Sequence, residues 1–184
     1  MREKDVADGP TDLALIEQWQ HGDSRAATLL VERHAEALAR YAASQGEWED
    51  VEELVQDTFV RAFGSLGQFR GESALRTWLF TIARRLILDR RRAQRRERVM
   101  VPADETSVTT EVTPLDMMLA EEAGERVRTA VERLSPTQRE VFALRVNEGM
   151  SYSEIARVVG TTEGAARVHY HNAMRAVKEY LEDE

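Results

Sequence analysis

"SPTQREVFALRVNEGMSYSEIARVVGTTEGAARVHYHNAM", residues 135–174, fixes the fold class. It opens on a capping box: Ser135 at the N-cap, Pro136 at the first helical position and Gln138 two residues further on. Val141, Phe142, Leu144 and Val146 follow, and Gly149 closes the helix. "SYSE" is a second capping box, Ser151 to Glu154, which starts a short helix carrying Ile155, Val158 and Val159. Gly160 ends that helix, and after Thr161-Thr162 a longer one runs from about Glu163 to Leu181. A short helix, a glycine turn and a longer helix make a helix-turn-helix.

On the last helix Ala166, Tyr170, Ala173, Val177 and Leu181 form one stripe. At about 100° per residue the opposite face holds Gly164, Arg167, Val168, His171, Asn172, Arg175 and Lys178. Arg pairs with guanine, Asn with adenine, and Val touches a thymine methyl. The face therefore fits a major groove, and equally the solvated side of an ordinary three-helix domain. His169 and His171 lie about 160° apart around the helix, which does not suit a shared metal.

The N-terminal half repeats the helical period. Asp12 is placed to cap a helix ending at Gly22, with Leu13, Ile16 and Trp19 on one face. Ser24 is placed to cap a second, with Ala26, Leu29, Leu30, Ala37, Leu38 and Tyr41, ending near Gly46. A third runs from about Asp50 to Gly64 on Val51, Leu54, Val55, Phe59, Ala62 and Phe63. Ser73 is a cap for a long fourth helix whose apolar face is Leu75, Trp78, Leu79, Ile82 and Leu86, with Trp78 expected in the core. Residues 101–114, "VPADETSVTTEVTP", keep no helical stripe and read as a linker. A strand over "SVTTEVT" would have no partner. Helices resume from about Pro114 to Leu134.

The 184 residues carry a formal net charge of −8, yet the charge is segregated. From Arg84 to Arg98 eight arginines face only Asp89 and Glu97, a net of +6; from Val99 to Glu125 seven acids meet no Lys or Arg. Arg84, Arg91, Arg95 and Arg98 project opposite the apolar face of the fourth helix, with Arg85, Arg92 and Arg96 in a second row beside them. A solubilising face normally mixes Lys, Glu and Arg; a nearly pure arginine wall favours a phosphate backbone. The chain has no cysteine, which excludes disulfides, thiolate zinc sites and thiol redox sensing. Its apolar runs reach about four residues against the roughly 20 a membrane helix needs, and "MREKDVADGPTD" has no signal-like apolar core. A cytoplasmic protein without membrane insertion is expected. No phosphate loop, metal-ligand cluster or nucleophile–base spacing suggests an enzyme, and no cofactor is expected.

"DVEELVQDTFVRAF", "FRGESALRTWLFTIARRLILDRRR" and "LSPTQREVFALRVNEGMSYSEIARVVGTTEGAARVHYHNAMRAVKEYL" together resemble the extracytoplasmic-function (ECF) sigma factors of bacteria, in order and spacing. The resemblance implies an all-α protein of two small helical domains joined by a flexible acidic linker. Residues 1–10 would be a disordered terminus, 11–98 a sigma region 2-like domain, 99–114 the linker, and 115–184 a region 4-like helix-turn-helix domain. It implies a non-catalytic subunit that directs core RNA polymerase to promoters and helps open them. Its partners would be the β′ clamp helices and β flap of core, promoter DNA and an anti-sigma factor.

Residue by residue, the resemblance assigns core binding to Glu53, Leu54, Gln56, Asp57 and Arg61. It assigns the −10 element to the loop residues Phe69, Arg70, Glu72 and Ser73 with Arg84, Arg85, Arg91, Arg92 and Arg95. The −35 element falls to Thr162, Arg167, Val168, His171, Asn172 and Arg175. Where family members often carry a Thr-Val pair and several basic residues, this helix has "GAARVHYHNAM", which implies a −35 preference of its own. A stand-alone helix-turn-helix regulator would leave the third helix and the arginine helix unexplained. A sigma-like decoy for an anti-sigma factor would be expected to lack the arginine row. A net negative chain with confined basic strips is expected to bind DNA weakly until core positions both domains.

Overall fold

The computed structural model of the protein describes residues 9–47, 50–100 and 118–182. Among them there is no strand. The N-terminal half consists of α1 (Asp12–Gln20), α2 (Ser24–Ser44), α3 (Val51–Ser65), a 3₁₀ turn (Leu66–Gln68) and α4 (Leu75–Met100). The C-terminal half consists of α5 (Met118–Glu132), α6 (Pro136–Val146), α7 (Tyr152–Val159) and α8 (Glu163–Glu182). α4 runs two residues into the segment assigned to the linker. Residues 101–114, with the strand alternative and the Pro114 helix start, lie outside the described residues, as do residues 1–8.

Three expected caps are displaced by one position. Thr11, not Asp12, caps α1, accepting the Ala14 N–H at 3.3 Å. The Asp12 carboxylate turns instead to α2, where Arg33 (2.6 Å) and His34 (2.9 Å) offer stronger partners than a backbone amide. Asp23 caps α2 in place of Ser24, accepting from the Arg25 amide at 2.9 Å. α4 begins at Leu75, with the Trp78 N–H bonded to the Ala74 carbonyl (3.3 Å), so Ser73 belongs to the preceding loop. Both capping boxes form as expected at Ser135/Gln138 and Ser151/Glu154. Gly160 takes the left-handed conformation (φ 74°, ψ 44°), and its N–H and that of Thr161 both close on the Ala156 carbonyl at 2.9 Å.

The stripes turn inward. Leu15, Leu30, Leu38, Leu54, Leu79, Phe80 and Ile87 are buried in the N-terminal half, and Val141, Leu144, Ile155 and Val158 in the other. These sets form one continuous core, because α4 packs along α7 and α2 along α6. A smaller cluster of Ala130, Leu134, Ala173 and Val177 ties α5 to α8. Trp78 packs against the main core, as expected from its place on the apolar face.

Two carboxylates bear on acid stability. Burial raises the Asp12 pKa, but hydrogen bonds and charge from His34 and Arg33 outweigh it and hold the group below its ordinary value of 3.8. Glu154 behaves likewise: burial is overcome by Ser151, Thr77 and Arg76, below an ordinary 4.5. A carboxylate whose folded pKa is depressed stabilises fully above its unfolded pKa and loses that contribution as pH falls through the folded value. Resistance to urea should therefore decline from about pH 4.5 downward, and Asp12→Asn should shallow that decline. A variant with the parent's pH profile would show that this carboxylate does not titrate into stability.

Candidate nucleic-acid interface

The arginine wall of α4 divides into two sets. Arg84 Nε sits 2.7 Å from a Glu140 carboxylate oxygen on α6. Arg91 donates to the Gln45 carbonyl and pairs with Glu47 at 3.6 Å. The single outward row expected from helical projection is thus corrected: Glu47 and the Gln45 carbonyl after α2, and Glu140 of α6, draw these guanidinium groups inward. Arg85, Arg92, Arg95 and Arg96 remain exposed. Of these, Arg92 pairs with its neighbour Asp89 (3.3 Å), whereas the other three make no ion pair among the described residues. The Arg98 side chain lies outside the described residues.

Phe69, Arg70, Gly71, Glu72 and Ser73 form the loop that leads into α4. Gly71 has φ +68°, a conformation that a side chain would strain, so the tight turn depends on glycine. Phe69 packs at a tilt against Trp78, ring centroids 5.1 Å apart and planes at 44°, and is half-buried, anchoring the loop. Arg70 and Glu72 are exposed and Ser73 is half-buried.

On α3, Glu53, Gln56 and Arg61 are exposed and Asp57 is half-buried. Leu54 is 0% exposed, which removes it from any surface. Its position on the stripe with Val51 and Val55 puts it in the core, and the family-based assignment of a contact there is corrected accordingly. Arg90 of α4 reaches across to Glu53 (3.2 Å) and Asp57 (3.3 Å), so the acidic face is internally braced. Beside it runs an apolar groove between α2 and α3 lined by Val31, Ala35, Val51, Val55, Val60 and Phe63. Val60 is 64% exposed. Sequence reading missed this groove, although Val60 falls off the core stripe of α3 and was a visible signal.

In the helix-turn-helix, α7 and α8 are joined by Gly160-Thr161-Thr162. Thr162 caps α8, its hydroxyl accepting the Ala165 N–H at 3.1 Å. Arg167, Val168, His171 and Arg175 are exposed along one side, Val168 at 57%, and Asn172 is half-buried between them and the core. Two residues not singled out from the sequence join this surface. The Tyr152 ring at the start of α7 is flanked by Arg145 (5.0 Å) and Arg167 (5.1 Å), and Tyr170 lies 6.0 Å away. Cation–π contacts of this kind restrict a long flexible side chain without removing its charge. Arg145 also donates to the Met150 carbonyl at 2.8 Å. Among the described residues no helix is long and apolar enough to cross a membrane.

Two family models cover these surfaces: sigma-70 region 2 matches residues 30–97, and sigma-70 region 4 matches residues 124–177. The chain is 30% identical to the ECF RNA polymerase sigma-E factor of Haemophilus influenzae, over 96% of this chain and 98% of the relative. It is 32% identical to that of Escherichia coli K12, over 91% and 92%. Among solved structures, CnrH in complex with the cytosolic domain of CnrY matches with a TM-score of 0.69 and 30% identity, over 95% of this chain and 99% of that one. The sigma factor RpoE in complex with the anti-sigma factor NepR from Bartonella quintana matches with a TM-score of 0.67 and 26% identity, over 84% and 96%. The two regions together define a sigma-70-type initiation factor. The chain belongs to the ECF sigma factors, RNA polymerase subunits for transcription initiation at promoters.

The burial of Leu54 separates folding from binding on α3. Leu54→Ala should cost about 2–5 kcal/mol of stability. Glu53→Gln, on the exposed side, should leave the chemical denaturation midpoint within about 0.5 kcal/mol of the parent. Equal denaturation curves for the two variants would contradict this placement.

Proposed function

We propose that the two halves divide promoter recognition as follows. The loop 69–73 and the outward arginines of α4 (Arg85, Arg92, Arg95) engage the −10 element: the loop takes an unstacked base and the arginines follow the backbone. Flipping a base costs a few kcal/mol, which a preformed pocket offsets. α8 enters the −35 major groove with Arg167, Val168, His171 and Arg175 toward base edges and Asn172 beside them. Thr162 and Arg145 lie where phosphates run. Glu53, Gln56, Asp57 and Arg61 of α3 contact the β′ clamp helices, next to the apolar groove; the helix-turn-helix half meets the β flap.

The observation that carries this reading is the pairing, in one chain, of an exposed groove-sized helix face on α8 with an outward guanidinium strip on α4. Either alone fits many proteins. A stand-alone regulator has no use for the α3 face, and a decoy has none for the exposed arginines. The protein acts in the cytoplasm without catalytic chemistry of its own. Because RpoE is seen with the anti-sigma factor NepR and CnrH with the cytosolic domain of CnrY, an anti-sigma factor is the fitting regulator here too.

Transcription in vitro with purified core on a library of random promoters tests the assignment and returns the consensus. Arg167→Ala should lose about 1–3 kcal/mol of discrimination at one −35 base pair. Arg92→Gln should instead weaken all promoters evenly and lower the salt-dependence slope by about one. An unaltered consensus for Arg167→Ala would remove that side chain from base reading.

A further inference from the structure

We infer that Glu163, at the start of α8, selects a cytosine in the −35 element, and that it does so as one unit with Arg167. The inference rests on the placement of α8 in the −35 major groove made above. It adds to that placement a carboxylate that chooses a base.

The exposed side chains assigned to base reading on α8, Arg167, Val168, His171 and Arg175, supply hydrogen-bond donors and apolar surface but no carboxylate. From Gly160 to Arg175 the chain has a single acid, Glu163. At about 100° per residue it lies about 40° from Arg167 around the helix and one turn nearer the N-terminus, so the two share a face. The Glu163 Oε1 atom accepts from Arg167 Nη2 at 3.1 Å, while the side chains stay 55% and 63% exposed. The second carboxylate oxygen has no hydrogen-bond partner among the described residues, which leaves an acceptor at the surface. Arg167 is restrained a second time by the Tyr152 ring, 5.1 Å from its guanidinium carbon. A guanidinium held at two points is a fixed support, and it orients the carboxylate bonded to it.

A helix of this kind presents its N-terminal residues to the base edges. A carboxylate carried there is repelled by the phosphates on either side, and only a hydrogen-bond donor offsets that repulsion. The donors in the major groove are the amino groups of cytosine and adenine. Adenine sets its N7 acceptor beside the amino group, which disfavours a carboxylate. Cytosine carries an amino group and no acceptor of its own in that groove. Guanine offers O6 and N7, the acceptors that arginine binds. Two groups 3.1 Å apart span no more than one base step, about 3.4 Å along the duplex. The Glu163–Arg167 pair therefore fits a cytosine and a guanine in the same base pair or in neighbouring ones. An acid in the first turn also suits the helix dipole, but that effect is blind to the base opposite it.

The full chain with purified core polymerase carries the test, on promoters randomised through the −35 element, with base frequencies read from the transcripts. The parent should enrich cytosine at one position. Glu163→Ala should weaken that enrichment about fivefold, the lower end of what a base-specific side chain contributes. Glu163→Gln keeps the shape but adds a donor, and should move the preference at that position to adenine. The cytosine should stand in the same base pair as the guanine that Arg167→Ala ceases to select, or one step from it; a wider separation overturns the unit. A uniform rise or fall in transcription with unchanged base frequencies would assign Glu163 to charge or helix initiation and reject the inference. Glu179→Gln is the control: it makes the same charge change in the ion pair of α8 with Arg175 (3.9 Å) and should leave the position unaltered. The same shift in both variants overturns base reading by Glu163. If circular dichroism shows that Glu163→Ala loses helix, the isosteric Glu163→Gln decides alone, because a damaged fold does not exchange one preferred base for another. A parent that yields no transcript from any template overturns the promoter-reading assignment itself. A parent that transcribes without selecting the cytosine overturns only the role of Glu163.

Discussion

A carboxylate removed from water is tolerated only when cations and hydrogen-bond donors replace the lost hydration. Glu148 meets that condition between Arg40 of α2 and Arg76 of α4. The remaining interface follows from this constraint. Placing Glu148 there brings α6 against α2 and aligns α7 along α4, which lets Val141, Leu144 and Ile155 join the core of the N-terminal half. Glu140 then finds Tyr41 and Arg84. The interface is thus polar at its points of registration and apolar between them. Ion pairs of this kind add little net stability but penalise every other alignment, since a shifted helix would strand a charge.

The local architecture was largely legible in the sequence. Both capping boxes, the left-handed Gly160 and the buried stripe of α8 come from interactions within a few residues, where spacing and side-chain chemistry are sufficient. Caps erred where two acceptors competed: Thr11 with Asp12, and Asp23 with Ser24. For Asp12 the outcome depended on distant partners, Arg33 and His34, which no local pattern contains. The same cause explains the split of the arginine wall. Helical projection gives the direction of Arg84 and Arg91 but not that Glu140 and Glu47 stand opposite them. Leu54 shows the converse. Its periodicity marked it as core, and a correspondence with relatives set beside that periodicity placed it wrongly on the surface.

Charge segregation also has a clearer origin than overall composition suggests. Part of the arginine block pairs with Glu47 after α2, with Glu53 and Asp57 of α3 and with Glu140 of α6, and only the remainder faces outward. A net-negative chain thereby keeps a short, well-defined cationic strip instead of a diffuse field. The Arg145–Tyr152–Arg167 stack does the same at the other end, concentrating two positive charges on one aromatic ring beside the start of α8.

Arg90 has a further consequence. Its guanidinium spans from α4 to Glu53 and Asp57 on α3, so the two helices share one counterion. Any cationic group docking on those acids competes directly with Arg90, so the packing of α4 on α3 and the charge that α3 presents to a partner are set by the same pair of carboxylates.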